Sequence, residues 1–223
     1  VKHFYDGKKL AIWFTQSQSK GEKVVVKIEY TAKPNELPEG GSAAITKDKG
    51  LFFINADGKD PLLPKQIWTQ GEPQSASCWF PTIDNPNERC TQEMNITVED
   101  RYKTLSNGTM LYSRKGGNGM RTDVWEMMLP HAPYLFMMAV GDYSVVEDKA
   151  GSIPLHYWVE PKYQPVAKKI FGRTPAMISY FSRKLGYNYP WPKYDQIVVR
   201  EFVSGAMENT SASVFMEALQ GSP

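Results

Sequence analysis

The sequence predicts a mainly β protein that closes with a helix-plus-strand unit. Three observations carry this. Short apolar runs with a period of two recur over the first 150 or so residues, separated by turn residues. The pattern changes near Gly151, and from Tyr163 onward the apolar spacing is helical. The composition is that of an ordinary folded domain, with 41% hydrophobic and 22% charged residues in 223. A chain of this length buries roughly 70% of its unfolded surface, so a core without covalent staples is feasible.

In chain order, Lys9–Phe14 is a first strand candidate. Val24, Val26, Ile28 and Tyr30 alternate with Lys23, Val25, Lys27 and Glu29, which predicts a strand with one wetter face. Pro34–Ser42 is loop, punctuated by Pro34, Pro38, Gly40 and Gly41. Leu51–Ile54 is a short apolar strand ended by Asn55 and Asp57-Gly58. Met94, Ile96 and Val98 alternate with polar neighbours. Asn107-Gly108 predicts a hairpin turn between Lys103–Ser106 and Thr109–Arg114. Gly116, Gly117 and Gly119 predict a second hairpin loop before Thr122–Met128, and Tyr134–Val140 reads as a buried strand. Many short strands with regular turns argue for a β-sandwich or related layered sheet.

Leu155–Val159 is one more strand candidate. Val166, Ile170, Met177, Ile178, Phe181 and Leu185 then predict a helix, broken near Gly172–Arg173 and restarted with Thr174 as cap and Pro175 in its first turn. Gly186 and Tyr189-Pro190-Trp191-Pro192 end it, and Ile197-Val198-Val199 is a strand core. The boundaries expected are a β-domain over 1–151 and the beginning of a second domain over 152–223. A lone helix-strand unit of this size is a poor independent domain.

Charge and spacing exclude several function classes. Lys plus Arg is 26 and Asp plus Glu is 24, a net charge of +2, too even for a nucleic-acid binder. No apolar run approaches the roughly 20 residues that span a bilayer. Val1-Lys2-His3-Phe4-Tyr5-Asp6 holds no apolar signal core, so the protein stays in the cell or its leader lies outside these residues. His3, His131 and His156 have no histidine at zinc-ligand spacing and read as surface or structural residues. There is no nucleophile elbow and no Walker loop. Cys78 and Cys90 flank a turn that permits a bridge, but two free thiols is the simpler reading. The three Asn-x-Ser/Thr sequons, at Asn95, Asn107 and Asn209, read as incidental.

One stretch is more informative. Gly205-Ala206-Met207-Glu208-Asn209 follows the Ile197–Arg200 strand. It resembles the Gly-x-Met-Glu-Asn exopeptidase motif of the gluzincin zinc aminopeptidases, the aminopeptidase N and leukotriene hydrolase type. Upstream, Gln70-Gly71-Glu72 resembles the element that forms the other half of that family's amine site. Trp79-Phe80-Pro81 with Asp84-Asn85-Pro86, Tyr134-Leu135-Phe136 with Gly141-Asp142-Tyr143, and Tyr189–Tyr194 are similar to family landmarks in the same order. Residues 1–65 are supported by β pattern only.

The resemblance implies a saddle-like N-terminal β-domain followed by the first part of a thermolysin-like domain. It implies a zinc aminopeptidase whose substrates are peptides with a free N-terminus. Glu72 and Glu208, helped by the Gln70 amide, would bracket the α-ammonium, since carboxylates are its natural partners. Gly205 and Ala206 would lie where substrate adds as an extra strand, with Met207 as an adaptable apolar wall and Asn209 closing the motif. Taken singly, Glu72 or Glu208 is more simply an exposed loop acid.

The family's zinc signature, H-E-x-x-H with a further Glu, is absent from the sequence, as are the general base and the catalytic Tyr. Zinc is therefore expected only in a full-length protein, no catalytic set is complete in this chain, and the chain alone is expected to be inactive. The reading is of a fragment lacking its first strands, with the rest of its catalytic domain as a partner and Gly221-Ser222-Pro223 as a possible vector remnant. The open edges and apolar face of such a fragment predict self-association. A second function class stays open: a non-catalytic β module that holds peptide N-termini or a protein partner with the same acids. Members of the family occur in cytosol, periplasm and at cell surfaces, so the compartment is unknown.

Overall fold

The structure is a computed structural model, and residues 2–221 are described. The chain divides into two compact units, one running to Thr31 and the other from Ala32 onward. In the first, β1 (Lys2–Tyr5) pairs antiparallel with β2 (Leu10–Trp13). The Asp6 carboxylate accepts the Lys8 and Lys9 amides at 2.8 and 2.6 Å and closes the turn. Residues 23–30 form no strand, against expectation. Their alternation specifies a wet and a dry face, but a strand forms only where a neighbour takes up its backbone groups. Val25 is instead 83% exposed.

The second unit begins its sheets with β3 (Leu51–Ile54) and β4 (Gln66–Thr69). Then come β5 (Cys90–Glu99), β6 (Lys103–Ser106), β7 (Thr109–Lys115) and β8 (Met120–His131). β9 (Met138–Gly141), β10 (Ser144–Ala150) and β11 (Ile153–Val159) precede α1 (Ala167–Phe171) and α2 (Thr174–Leu185). β12 (Tyr194–Val199), β13 (Ala206–Met207) and β14 (Ala212–Met216) complete the order. Three sheets result: β3-β4-β9-β6, β5-β8-β7, and β10-β11-β12-β14-β13. The last is mixed, with β12 parallel to both β11 and β14. The fold is mainly β with one helical segment, as the sequence predicts.

Period-two alternation sorts the five-stranded sheet's faces. Leu155, Tyr157, Val159 and Val198 pack with Ala167, Phe171 and Ile178 of the helices. Ile197, Val199, Met207 and Val214 face the other way, into one core with Trp68, Leu105 and Trp125 of the other two sheets. Trp68 is fully buried, stacks on Phe52 with centroids 4.2 Å apart, and donates its indole N–H to Arg200 O at 3.0 Å. The sheets thus share apolar contact and specific hydrogen bonds.

Three local expectations change. β6 and β7 do not pair with each other: β6 pairs with β9 and β7 with β8. Asn107-Gly108 is therefore a crossover between sheets, not a hairpin turn. Gly108 has φ 74°, and a Cβ there would meet Glu126 O at 1.8 Å, so only glycine fits against β8. Pro133–Leu135 is a 3₁₀ turn and the strand begins only at Met138, because Pro133 sits in the first helical turn. Thr174 lies inside α2 and does not cap it; its hydroxyl donates to Gln196 Oε1 at 2.6 Å. Gly186 does end that helix, in the left-handed conformation at φ 64°. Cys78 and Cys90 are free thiols.

Candidate functional site

β4 presents Gln66 and Trp68 to the five-stranded sheet: Gln66 Oε1 accepts the Arg200 amide at 2.9 Å. Gln70 lies past the strand end and keeps the same period-two phase, which explains how a glutamine is only 1% exposed. Its backbone N–H donates to Gly50 O at 2.9 Å, and its Oε1 accepts the Glu72 backbone N–H at 3.4 Å. Gly71 is pressed against the next segment, where an added Cβ would meet Tyr134 O at 2.3 Å. Glu72 is half-buried at the end of this turn.

The other half sits on the edge of the five-stranded sheet. Ala206 and Met207 pair with Phe215 and Val214, leaving the second edge of β13 unpaired by any described strand. Alternation turns Ala206 and Glu208 outward and Met207 and Asn209 inward. The space where a Gly205 Cβ would stand is open, with nothing within 4 Å. Met207 is 1% exposed and part of the core, so it holds the strand rather than lining an open wall. The turn after it closes with Asn209 O accepting the Ala212 amide at 3.0 Å, through Ser211 at φ 64°.

The two halves meet. Burial first, and then the negative charge of Glu208, push the Glu72 carboxyl above its ordinary value. A segment 136 residues further along the chain (208 minus 72) thus sets a like charge within electrostatic reach of Glu72. Gln70 Nε2, both side-chain polar atoms of Asn209, and Thr210 Oγ1 are buried without a hydrogen-bond partner among the described residues. Each unpaired buried polar group costs about 1–3 kcal/mol, and such groups are tolerated where a ligand or water completes them.

The elements that join the halves escaped the sequence reading. Asn107 donates to Leu135 O at 2.9 Å and to Thr210 O at 2.7 Å, and its Oδ1 accepts the Met137 amide at 2.8 Å. The Gly108 amide donates to Ser211 Oγ at 2.8 Å. The sequence signals there are Asn-Gly, which reads as a turn, and an Asn-x-Thr sequon, which reads as incidental.

Zinc needs three or four nitrogen, sulfur or oxygen ligands converging on one point. Among the described residues no group of three or more His, Cys, Asp or Glu is placed to hold a metal. His131 stacks on Phe136 at 4.3 Å, and burial lowers its pKa to about 4. His156 Nδ1 lies 2.6 Å from Asp195 Oδ1. The described residues therefore do not fit zinc.

Two family models match the chain. The model of the peptidase M1 N-terminal domain matches residues 2–135, and that of the peptidase family M1 domain matches residues 170–220. Glutamyl aminopeptidase of Bos taurus is 30% identical over 206 residues, covering 89% of this chain and 21% of that protein. The Homo sapiens glutamyl aminopeptidase is 30% identical over 152 residues, 68% of this chain and 16% of that protein. Mitochondrial aminopeptidase 2 of Saccharomyces cerevisiae is 28% identical over 168 residues, 74% of this chain and 18% of that protein. The chain spans about a fifth of the length of these relatives. Glu72 falls in the first matched region and Glu208 in the second.

Proposed function

The chain belongs to peptidase family M1, and from that premise we propose that it forms the substrate-anchoring part of a zinc aminopeptidase. Its share of the work is recognition of a free peptide N-terminus. The observation that carries this is that the charge of Glu208 reaches the half-buried Glu72 carboxyl from a distant segment and, after burial, helps to raise its pKa. An α-ammonium has three N–H donors, and the two carboxylates with Gln70 Oε1 are three acceptors. Binding relieves the repulsion between the acids and gives the half-buried Glu72 a counter-ion.

The free edge of β13 extends the reading. A peptide laid along Gly205-Ala206 adds as a further strand, and the missing side chain at Gly205 lets its backbone come close. Asn209 supports the turn from inside. The acids hold the first residue, and hydrolysis needs zinc, which polarises the peptide carbonyl and activates water. That chemistry is not assigned to residues of this chain, so the chain by itself does not hydrolyse peptides. The division into 1–151 and 152–223 is part of the same proposal. Cooperative unfolding of a chain ending at Gly151, followed by far-UV circular dichroism, supports it, and failure of that chain to fold refutes it.

The test of recognition uses an alanyl dipeptide amide and its N-acetylated form, titrated into labelled chain by NMR. The free amine should shift Glu72, Glu208 and Gln70 signals, and the acetylated peptide should bind at least ~100-fold more weakly, because it leaves buried acceptors and charge unmatched. Equal binding of the two peptides refutes the reading.

A further inference from the structure

Glu72 and Glu208 lie on segments that share no strand pairing. Their separation must be set by whatever ties the two loops together. The Glu72 loop rests, through Gly71, on the carbonyl of Tyr134. The Glu208 loop runs into Thr210 and Ser211. Asn107 lies between, fully buried, in a crossover that belongs to neither loop. Its side-chain NH₂ donates to Leu135 O at 2.9 Å on one side and Thr210 O at 2.7 Å on the other. Its Oδ1 takes the Met137 amide at 2.8 Å, which fixes the amide plane and leaves no alternative flip. The next residue adds a parallel tie, Gly108 N–H to Ser211 Oγ at 2.8 Å.

We infer that Asn107 is a positioning residue that fixes the separation of the two acids by bolting the Leu135–Met137 segment to the Thr210 turn. It touches neither carboxylate. It acts by holding Tyr134, on which Gly71 rests, at a set distance from the strand that ends in Glu208. Asparagine suits this place. Its short side chain offers two donors and one acceptor to three backbone groups, and aspartate would set a negative charge against two carbonyl oxygens. The role deepens the amine-anchoring proposal, on which its functional meaning rests, but the geometry can be tested with no peptide present.

The measurement is the titration of the Glu72 carboxyl, followed by NMR in glutamate-labelled chain. In the wild type, Glu208→Gln should lower the Glu72 pKa, because it removes a repelling charge. In the Asn107→Ala background the same Glu208→Gln change should produce a smaller drop or none. A control core change, Ile96→Val, should leave the full drop intact. Near-UV circular dichroism checks that each variant is folded. If Asn107→Ala does not fold, Ser211→Gly takes its place: it removes the parallel tie at a left-handed position where glycine is unstrained. A shrunken drop supports the inference. The full drop in the tie-deleted variant, an equal loss of coupling in Ile96→Val, or no coupling in the wild type overturns it. Failure of the amine-binding test alone leaves this outcome untouched, so the two readings fail separately.

Discussion

Lys193 should be the most costly single charge to remove. Its side chain is 6% exposed and its ammonium lies 2.6 Å from Asp195 Oδ2, on a carboxylate only 1% exposed. It also donates to Ser106 O at 3.0 Å and sits 4.9 Å from the centre of the Trp125 ring. Burial pushes the lysine pKa down. Burial also acts to raise that of Asp195, but Lys193 first and His156 second outweigh it, and the carboxyl is held below its ordinary value. Lys193→Met keeps most of the packing and deletes the charge. Breaking one side of a buried pair costs ~3–5 kcal/mol. His156 still flanks Asp195 at 2.6 Å, so the low end, about 3 kcal/mol, is expected. That is a large part of a typical stability of ~5–15 kcal/mol.

The assay is urea unfolding followed by tryptophan fluorescence and far-UV circular dichroism together. The double variant with Asp195→Asn should recover part of the loss, since neither charge is then stranded. The sign with pH is also fixed. A depressed Asp195 pKa gives stability present above its unfolded value and lost as pH falls through the folded one. Without Lys193 the largest influence holding that pKa down is lost and it rises, so the variant's deficit should narrow in acid. A loss below ~1 kcal/mol at neutral pH, the range of a surface pair, would refute the reasoning.

Further outcomes follow from the same structure. Glu72→Gln should stabilise the chain slightly at neutral pH, by up to ~1 kcal/mol, while abolishing amine binding. A raised folded pKa means stability that is full below the unfolded value and lost as pH rises through the folded one, so the variant's advantage should vanish in acid; thermal melts across pH check this. Trp68→Ala should cost ~3–5 kcal/mol by urea unfolding, since it deletes a wholly buried ring at the junction of two sheets. Exposed Cys90 should react with a disulfide reagent well before Cys78, whose thiol is half-buried and raised by burial, then by Asp48 and Asp84; equal rates would contradict the placement. α2 exposes Met177, Tyr180, Phe181 and Leu185 along one face, so the chain should self-associate as concentration rises; a monomer throughout a sedimentation series would count against this.

What could be read in advance was local. The strand core at Ile197–Val199 proved buried as read, and the helical spacing after Tyr163 did predict helix, but only Ile170 and Ile178 of that spacing pack on the sheet, while Met177, Phe181 and Leu185 stay exposed. Residues 23–30 carry equally clear alternation and form no strand, because a partner is not encoded in the segment itself. The acids at Glu72 and Glu208 were legible as motifs, each a short run of chemistry-bearing residues. Asn107 was not. Its Asn-Gly pair satisfies a hairpin rule that depends on two flanking strands pairing, and here they join different sheets. Its three partners come from three other positions, and none is nearer than 28 residues in sequence. No local pattern can mark such a residue, since its meaning lies wholly in the segments it joins. A recognition site can therefore announce its charged groups in sequence and still conceal what holds them apart. In the proposed reading the distance between the two like charges matters as much as their identity: moved apart they would no longer bracket one ammonium, and moved together one would take up a proton and be lost as a partner.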